Sequence, residues 1–152
     1  MSDLRELYQE VIIDHNKNPR NCYKMNKCTH QAEGFNPLCG DQITLYLDIN
    51  TENNIIKSIS FNGKGCAIST ASASLMTEIL LNKSIKQAEE IFQYFHDLMI
   101  SSDVLRVGAD LAKLEVLMGV REFPSRVKCA TLPWHTLNAA LHQKNEPVST
   151  ES

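Results

Sequence analysis

The sequence predicts an α+β fold: a small antiparallel three-stranded sheet with helices packed on one face. Three observations carry this. A stretch of helical period opens the chain, two alternating stretches joined by a short turn occupy its middle, and helical patterns fill the remainder. The 152 residues suffice for one hydrophobic core. Residues 1–144 are expected to form it as one domain, leaving 145–152 as a polar, disordered tail.

The opening helix rests on Leu4, Leu7, Tyr8, Val11 and Ile12, which share one face. Ser2 or Asp3 can cap it, and Pro19 ends it near Lys17. His15, near its C-terminus, is expected to serve structure, because a cationic ring there favours the helix dipole. Residues 22–35 are weakly patterned and predict a short edge strand around 28–33. Beyond a turn at 36–41, Ile43, Leu45, Leu47 and Ile49 alternate with Gln42, Thr44, Tyr46 and Asp48, the pattern of a half-buried strand. A turn at 51–54 leads to a second strand over 55–61, in which Ile55, Lys57, Ile59 and Phe61 oppose Ile56, Ser58 and Ser60. So short a connection makes the pair an antiparallel hairpin.

The stretch 62–65 breaks that strand. Helices are then expected over 66–81, rich in small residues, over 85–99, capped by Ser84, and over 110–118, ended by Gly119. A last helix runs to about Gln143. Pro133 leaves its start open: from Val127 the proline lies inside the helix and kinks it, and from Thr131 it sits in the first turn.

Composition narrows the function. A net charge of −3 argues against general nucleic-acid binding, which uses a basic face. No apolar run approaches the roughly 20 residues of a membrane span, and the N-terminus lacks a signal-peptide pattern. The expected location is the cytoplasm, where thiols stay reduced. Five cysteines, an odd number with no C-x-x-C pair, do not suggest a disulfide framework. They are either small buried hydrophobes or thiols with a task.

Context favours a task for three of them. Cys39 and Asp41 share one turn and can reach one ion. Cys66 and Cys129 each lie near an expected helix start, the latter flanked by Arg126 and Lys128. Helix N-termini and nearby cations favour the thiolate. Three thiolates and a carboxylate suit zinc or an iron–sulfur cluster. Among soft sulfurs the hard oxygen of Asp41 is a weaker ligand, as befits an exchangeable site; alternatively Asp41 only caps turn amides. Cys22 and Cys28 are expected to be bystanders. His135 is expected to make a core contact rather than edge the site, Trp134 to belong to the core, and His30, His96 and His142 to be solvated.

Four stretches together resemble a known family. They are Tyr8-x-x-Val11-Ile12-x-Asp14-His15-x-x-x-Pro19-Arg20-Asn21, Asn36-Pro37-x-Cys39-Gly40-Asp41, Phe61-x-Gly63-x-Gly65-Cys66-Ala67-Ile68-Ser69, and Arg126-Val127-Lys128-Cys129-Ala130-Thr131-Leu132. In this order they resemble the U-type iron–sulfur cluster assembly proteins (the IscU/NifU-N superfamily, with a SufE/NifU-like fold), and most of all the SufU branch. The resemblance extends to about His142. It implies metal or cluster ligands at Cys39, Asp41, Cys66 and Cys129. Scaffold-type members have His directly before the third cysteine, where this chain has Lys128. The segment 102–125 also looks longer than in scaffold types.

The function implied is a sulfur relay, a sulfurtransferase-like carrier. Zinc would fasten Asp41, Cys66 and Cys129 and hold Cys39 as a thiolate. Cys39 would accept persulfide sulfur from a SufS-type cysteine desulfurase and pass it to downstream cluster-assembly proteins. One alternative is a scaffold that builds a [2Fe–2S] cluster, or binds iron, on the same ligands. The other is a non-catalytic, zinc-stabilised interaction domain.

Overall fold

The expected alternation produces a sheet. A computed structural model of the chain describes residues 2–37, 40–100, 114, 117–142 and 148–149. Strands β1 (His30–Asn36), β2 (Asp41–Asn50) and β3 (Ile55–Lys64) pair antiparallel. The parity of β2 is the expected one: Ile43, Leu45, Leu47 and Ile49 are all buried. In β3 the alternation changes phase. A bulge between Asp48 and Ile49 pairs Ile49 with Ile56 but Asp48 with Ser58, leaving Lys57 unpaired. An extra residue reverses side-chain parity, so Ile56, Ile59 and Phe61 are all buried while Lys57 stays exposed.

A two-residue strand, β4 (Val148–Ser149), adds to the outer edge of β1 in parallel, opposite Gly34 and Phe35, giving the order β3-β2-β1-β4. Part of the tail expected to be disordered therefore covers the open hydrogen-bonding edge of β1, which would otherwise present unpaired backbone groups.

The helices are α1 (Ser2–Lys17), α2 (Ala67–Leu80), α3 (Ile85–Ile100) and α4 (Pro124–Leu141), with a 3-10 helix at Leu117–Glu122 before α4. α4 lies over β1, β2 and α2, while α1 packs on α2 and α3 on α4. Trp134 ties three helices together. Its ring stacks on Phe95 at 4.7 Å between centroids, and its Nε1 donates to Ser72 Oγ at 3.1 Å. Ser72 Oγ in turn donates to the Ala130 carbonyl at 2.6 Å. Trp134 is thus core, as expected, and fills its one polar need without water.

Three sequence expectations need correction. α4 starts at Pro124, which suits the first helical position, so Pro133 lies inside it. Cys129 therefore sits in the second turn rather than at a helix start. Gly119 does not end a helix but lies within the 3-10 helix; a Cβ there would come within 2.8 Å of the Tyr8 ring, so the glycine admits α1. The short helix expected over 110–118 falls largely outside the described residues, of which Leu114 is helical and buried.

Candidate metal centre

The register of β1 against β2 places Asn36 opposite Asp41 across the turn that closes the hairpin. Both fall on the parity that faces the helices, with Ala32 and Gly34 on one strand and Ile43 and Leu45 on the other. A carboxylate is thus carried into the interior: Asp41 is 1% exposed and Asn36 fully buried. Cys39, the expected reactive thiol, lies outside the described residues together with Leu38.

Cys66 arrives from the end of β3. It is the N-cap residue of α2, with extended backbone angles, and its Sγ accepts from the Ser69 N–H at 3.4 Å. Its own N–H donates to Asp41 Oδ1 at 2.8 Å. Gly65 keeps this approach open, since a Cβ there would press on the Ser69 side chain at 3.2 Å and on Asp41 Oδ1 at 3.3 Å. Cys129, fully buried, comes from α4. Of the two sulfurs expected at helix starts, only Cys66 is there; Cys129 lies in the second turn of α4, beyond the first turn within which the dipole acts. At Cys129 the positive end is supplied instead by Asn36, whose Nδ2 donates to Cys129 Sγ at 3.5 Å and to Asp41 Oδ2 at 3.3 Å.

One ligand atom each of Asp41, Cys66 and Cys129 lies within 4.8 Å of the other two. Among the described residues no cationic side chain pairs with Asp41. A buried carboxylate without a counter-charge is costly, and two sulfurs beside it form a donor set that a thiophilic divalent ion satisfies. The residues present therefore fit zinc, and three protein ligands leave a coordination position for a fourth. A groove of about 460 Å³ runs from Cys66 between α1 and the start of α2, lined by Tyr8, Ile12, Ile13, Ala67, Ile68 and Arg126. Cys66 is half-buried and lines that groove.

The remaining candidates stand apart from this cluster. Cys22 is exposed. Cys28 lies beside Gln31, and burial together with the charge of Asp48 pushes its thiol above the usual range, away from thiolate chemistry. His15 is buried, its Nδ1 at 2.7 Å from Ser74 Oγ, which also accepts from the Arg20 N–H at 2.8 Å. His135 meets Phe92 edge-on at 5.8 Å between centroids, and burial with the neighbouring His96 lowers its pKa, a core contact as expected. The other imidazoles keep solvent contact, as expected, and each has a neighbour: His30 bonds Thr29, the exposed His142 reaches Glu89 at 3.3 Å, and His96 packs against Phe92 and His135. The sequence reading assigned no role to Asn36. The available signal was parity, which sets an amide at a core position of β1.

Comparison with known proteins meets this geometry from another side. The model of the NifU-like N-terminal domain matches residues 7–142. The chain belongs to this family. It is 40% identical to a zinc-dependent sulfurtransferase SufU of Bacillus subtilis, over 90% of each chain. It is also 36% identical to an iron–sulfur cluster assembly scaffold protein IscU of Streptococcus pyogenes, over 93% of this chain and 86% of that one. The same fold is found in the crystal structure of a putative assembly scaffold protein for the SUF system from Fervidobacterium islandicum, with a TM-score of 0.80 and 33% identity over 90% of this chain and 97% of that one. A NifU-like protein of Brucella abortus, 18% identical, shares the fold at a TM-score of 0.79, over 90% of this chain and 93% of that one. The three antiparallel strands and four helices of this chain match those structural neighbours. No helix among the described residues is long and apolar enough to cross a membrane.

Proposed function

We propose that this chain is a zinc-dependent sulfur acceptor that takes persulfide sulfur from a SufS-type cysteine desulfurase and passes it to downstream cluster-assembly proteins in the reducing cytoplasm. The observation that carries this reading is Asp41: a carboxylate 1% exposed, beside two cysteine sulfurs, with no cationic partner among the described residues. The 40% identity to a sulfurtransferase of zinc-dependent name points the same way. Asp41, Cys66 and Cys129 would hold the zinc, with Cys39 as the fourth ligand. The bound ion supplies Lewis acidity that keeps a thiol deprotonated near neutral pH.

Cys39 is the acceptor in this reading. Its thiolate attacks the terminal sulfur of the desulfurase persulfide. A new S–S bond forms on Cys39, the enzyme's S–S bond breaks, and the enzyme cysteine departs as thiolate. No net redox change occurs. Turnover with the desulfurase and cysteine, followed by peptide mass spectrometry, should place the added sulfur on Cys39. Sulfur on Cys22 or Cys28, with Cys39→Ala fully active, would falsify the assignment.

A second reading is a scaffold for a [2Fe–2S] cluster, favoured by the 36% identity to a scaffold protein. Anaerobic reconstitution with iron and sulfide separates the two. A stoichiometric, transferable cluster selects the scaffold, and zinc that iron cannot displace selects the relay.

A further inference from the structure

Asn36 is a buried side chain that touches two of the proposed ligands, and it is not a ligand itself. We infer that Asn36 is a positioning residue: its carboxamide holds Asp41 and Cys129 in their metal-ready arrangement before an ion is present. The ligand part of this inference rests on the proposed zinc reading. The hydrogen-bonding part does not.

The two amide hydrogens have two separate acceptors, Asp41 Oδ2 at 3.3 Å and Cys129 Sγ at 3.5 Å. Sulfur's larger radius makes the second an ordinary contact length. All three residues are buried, so water does not compete for these bonds. Asp41 Oδ1 is held separately by the Cys66 N–H at 2.8 Å. The carboxylate is therefore fixed at both oxygens, by one donor from β1 and one from the start of α2.

The other end of the carboxamide shows which half matters. Asn36 Oδ1 is buried and without a partner among the described residues. An orphaned buried acceptor is unfavourable, and an apolar side chain would avoid it. Retaining the amide makes sense if its donor end is used. A carboxylate and a thiolate within 4.8 Å repel each other, and two N–H bonds placed between them offset that repulsion. Tethered through Sγ, Cys129 stays at its buried position in the zinc-free chain, out of reach of an alkylating reagent. Outer-sphere partners of this kind typically change metal affinity 10–100-fold.

The test compares the wild-type chain with Asn36→Leu, which keeps the branching at Cγ and deletes both donors, and Thr136→Val, which alters a buried hydroxyl of α4 bonded to the Leu132 carbonyl. Zinc affinity is read by competition with a chromophoric chelator. Cys129 accessibility is read in zinc-free protein by iodoacetamide labelling and peptide mass spectrometry. We expect Asn36→Leu to lose roughly 10–100-fold in zinc affinity and to label faster at Cys129, with Thr136→Val unchanged in both. Equal shifts in the two variants, or wild-type labelling of Cys129 in Asn36→Leu, overturn the inference.

Should Asn36→Leu fail to fold, the wild type still decides. The Asn36 side-chain amide protons must exchange slowly in the zinc-free chain, and in a cadmium-113-loaded sample they must couple to the metal through Cys129 Sγ. Exchange as fast as that of a surface asparagine overturns the inference. A wild type that retains no zinc sinks the proposed function, whereas amide exchange and Cys129 labelling in the zinc-free chain still judge Asn36 by themselves.

Discussion

The two described sulfurs of the centre occupy opposite kinds of surroundings. Cys66 is half-buried at the mouth of α2, accepts from a helix amide, and faces a groove. Cys129 is fully buried in the second turn of α4, accepts from a side-chain amide, and stands one residue from the Ala130 carbonyl bonded by Ser72. One is held by local backbone geometry and the other by tertiary packing. An ion that joined them would couple the start of α2 to the buried face of α4. Metal chemistry at the proposed site would then report on packing, and packing on metal.

Zinc removal is the broadest way to test that coupling. Structural zinc in small peptides contributes about 10–16 kcal/mol, but this chain has a core of its own, so we expect on the order of 5 kcal/mol. That corresponds to a fall in Tm of about 10–20 °C on chelation, read by calorimetry. A fall of less than 2 °C would mean that the two ends are not joined. Next in size is Trp134→Ala, which empties the site that seats α4 against Phe95 and Ser72. Its expected cost is about 3–5 kcal/mol in chemical denaturation of the zinc-free protein. It should also weaken zinc retention, through Cys129, although Trp134 is no ligand.

The sharpest form of the comparison is a pair of serine variants in zinc-free protein. Cys129→Ser puts a hydroxyl at a fully buried position and should cost about 1–2 kcal/mol. Cys66→Ser places a preferred N-cap residue at a position that already caps, so stability should stay within about 0.5 kcal/mol of wild type. Both should lose tight zinc binding. Equal stability costs at the two positions would erase the distinction drawn between them.

Much of this was legible in the sequence because its signals are local. The period of α1, the alternation of β2 and the short connection to β3 each need only neighbouring residues. The candidate site was legible for a different reason: local context and the resemblance both pointed to Cys39, Asp41, Cys66 and Cys129, and the fold places one ligand atom of each of the last three within 4.8 Å of the others. What escaped depended on contacts far apart in the chain. The bulge at Asp48/Ile49, which brings Ile56 and Ile59 to one face, has no local marker in the sequence. Gly119 looks like a helix stop until Tyr8 is packed against it. Pro133 allowed two registers, and burial of α4 against β1, β2 and α2 selects the longer helix despite the missing amide. Asn36 looked like a turn residue until the register set it opposite Asp41.

The smallest expected effect lies at the far side of α4, where His135 meets Phe92 and His96. Burial first, and then His96, lower the His135 pKa below its unfolded value of 6.5. The neutral ring is thus the form the fold accepts. Between the native pKa and 6.5 the unfolded chain binds the extra proton, so stability rises with pH across that window and is lost on acidification through it. The ring is partly solvated, so the slope should be shallow. Zinc-free protein is the sample to use, because protons also compete with a metal for its ligands. Denaturation midpoints from pH 7.5 down to 5.5 should fall in the wild type and fall less in His135→Gln. Identical slopes would assign the acid sensitivity to groups nearer the centre and remove the contrast between the two ends of α4.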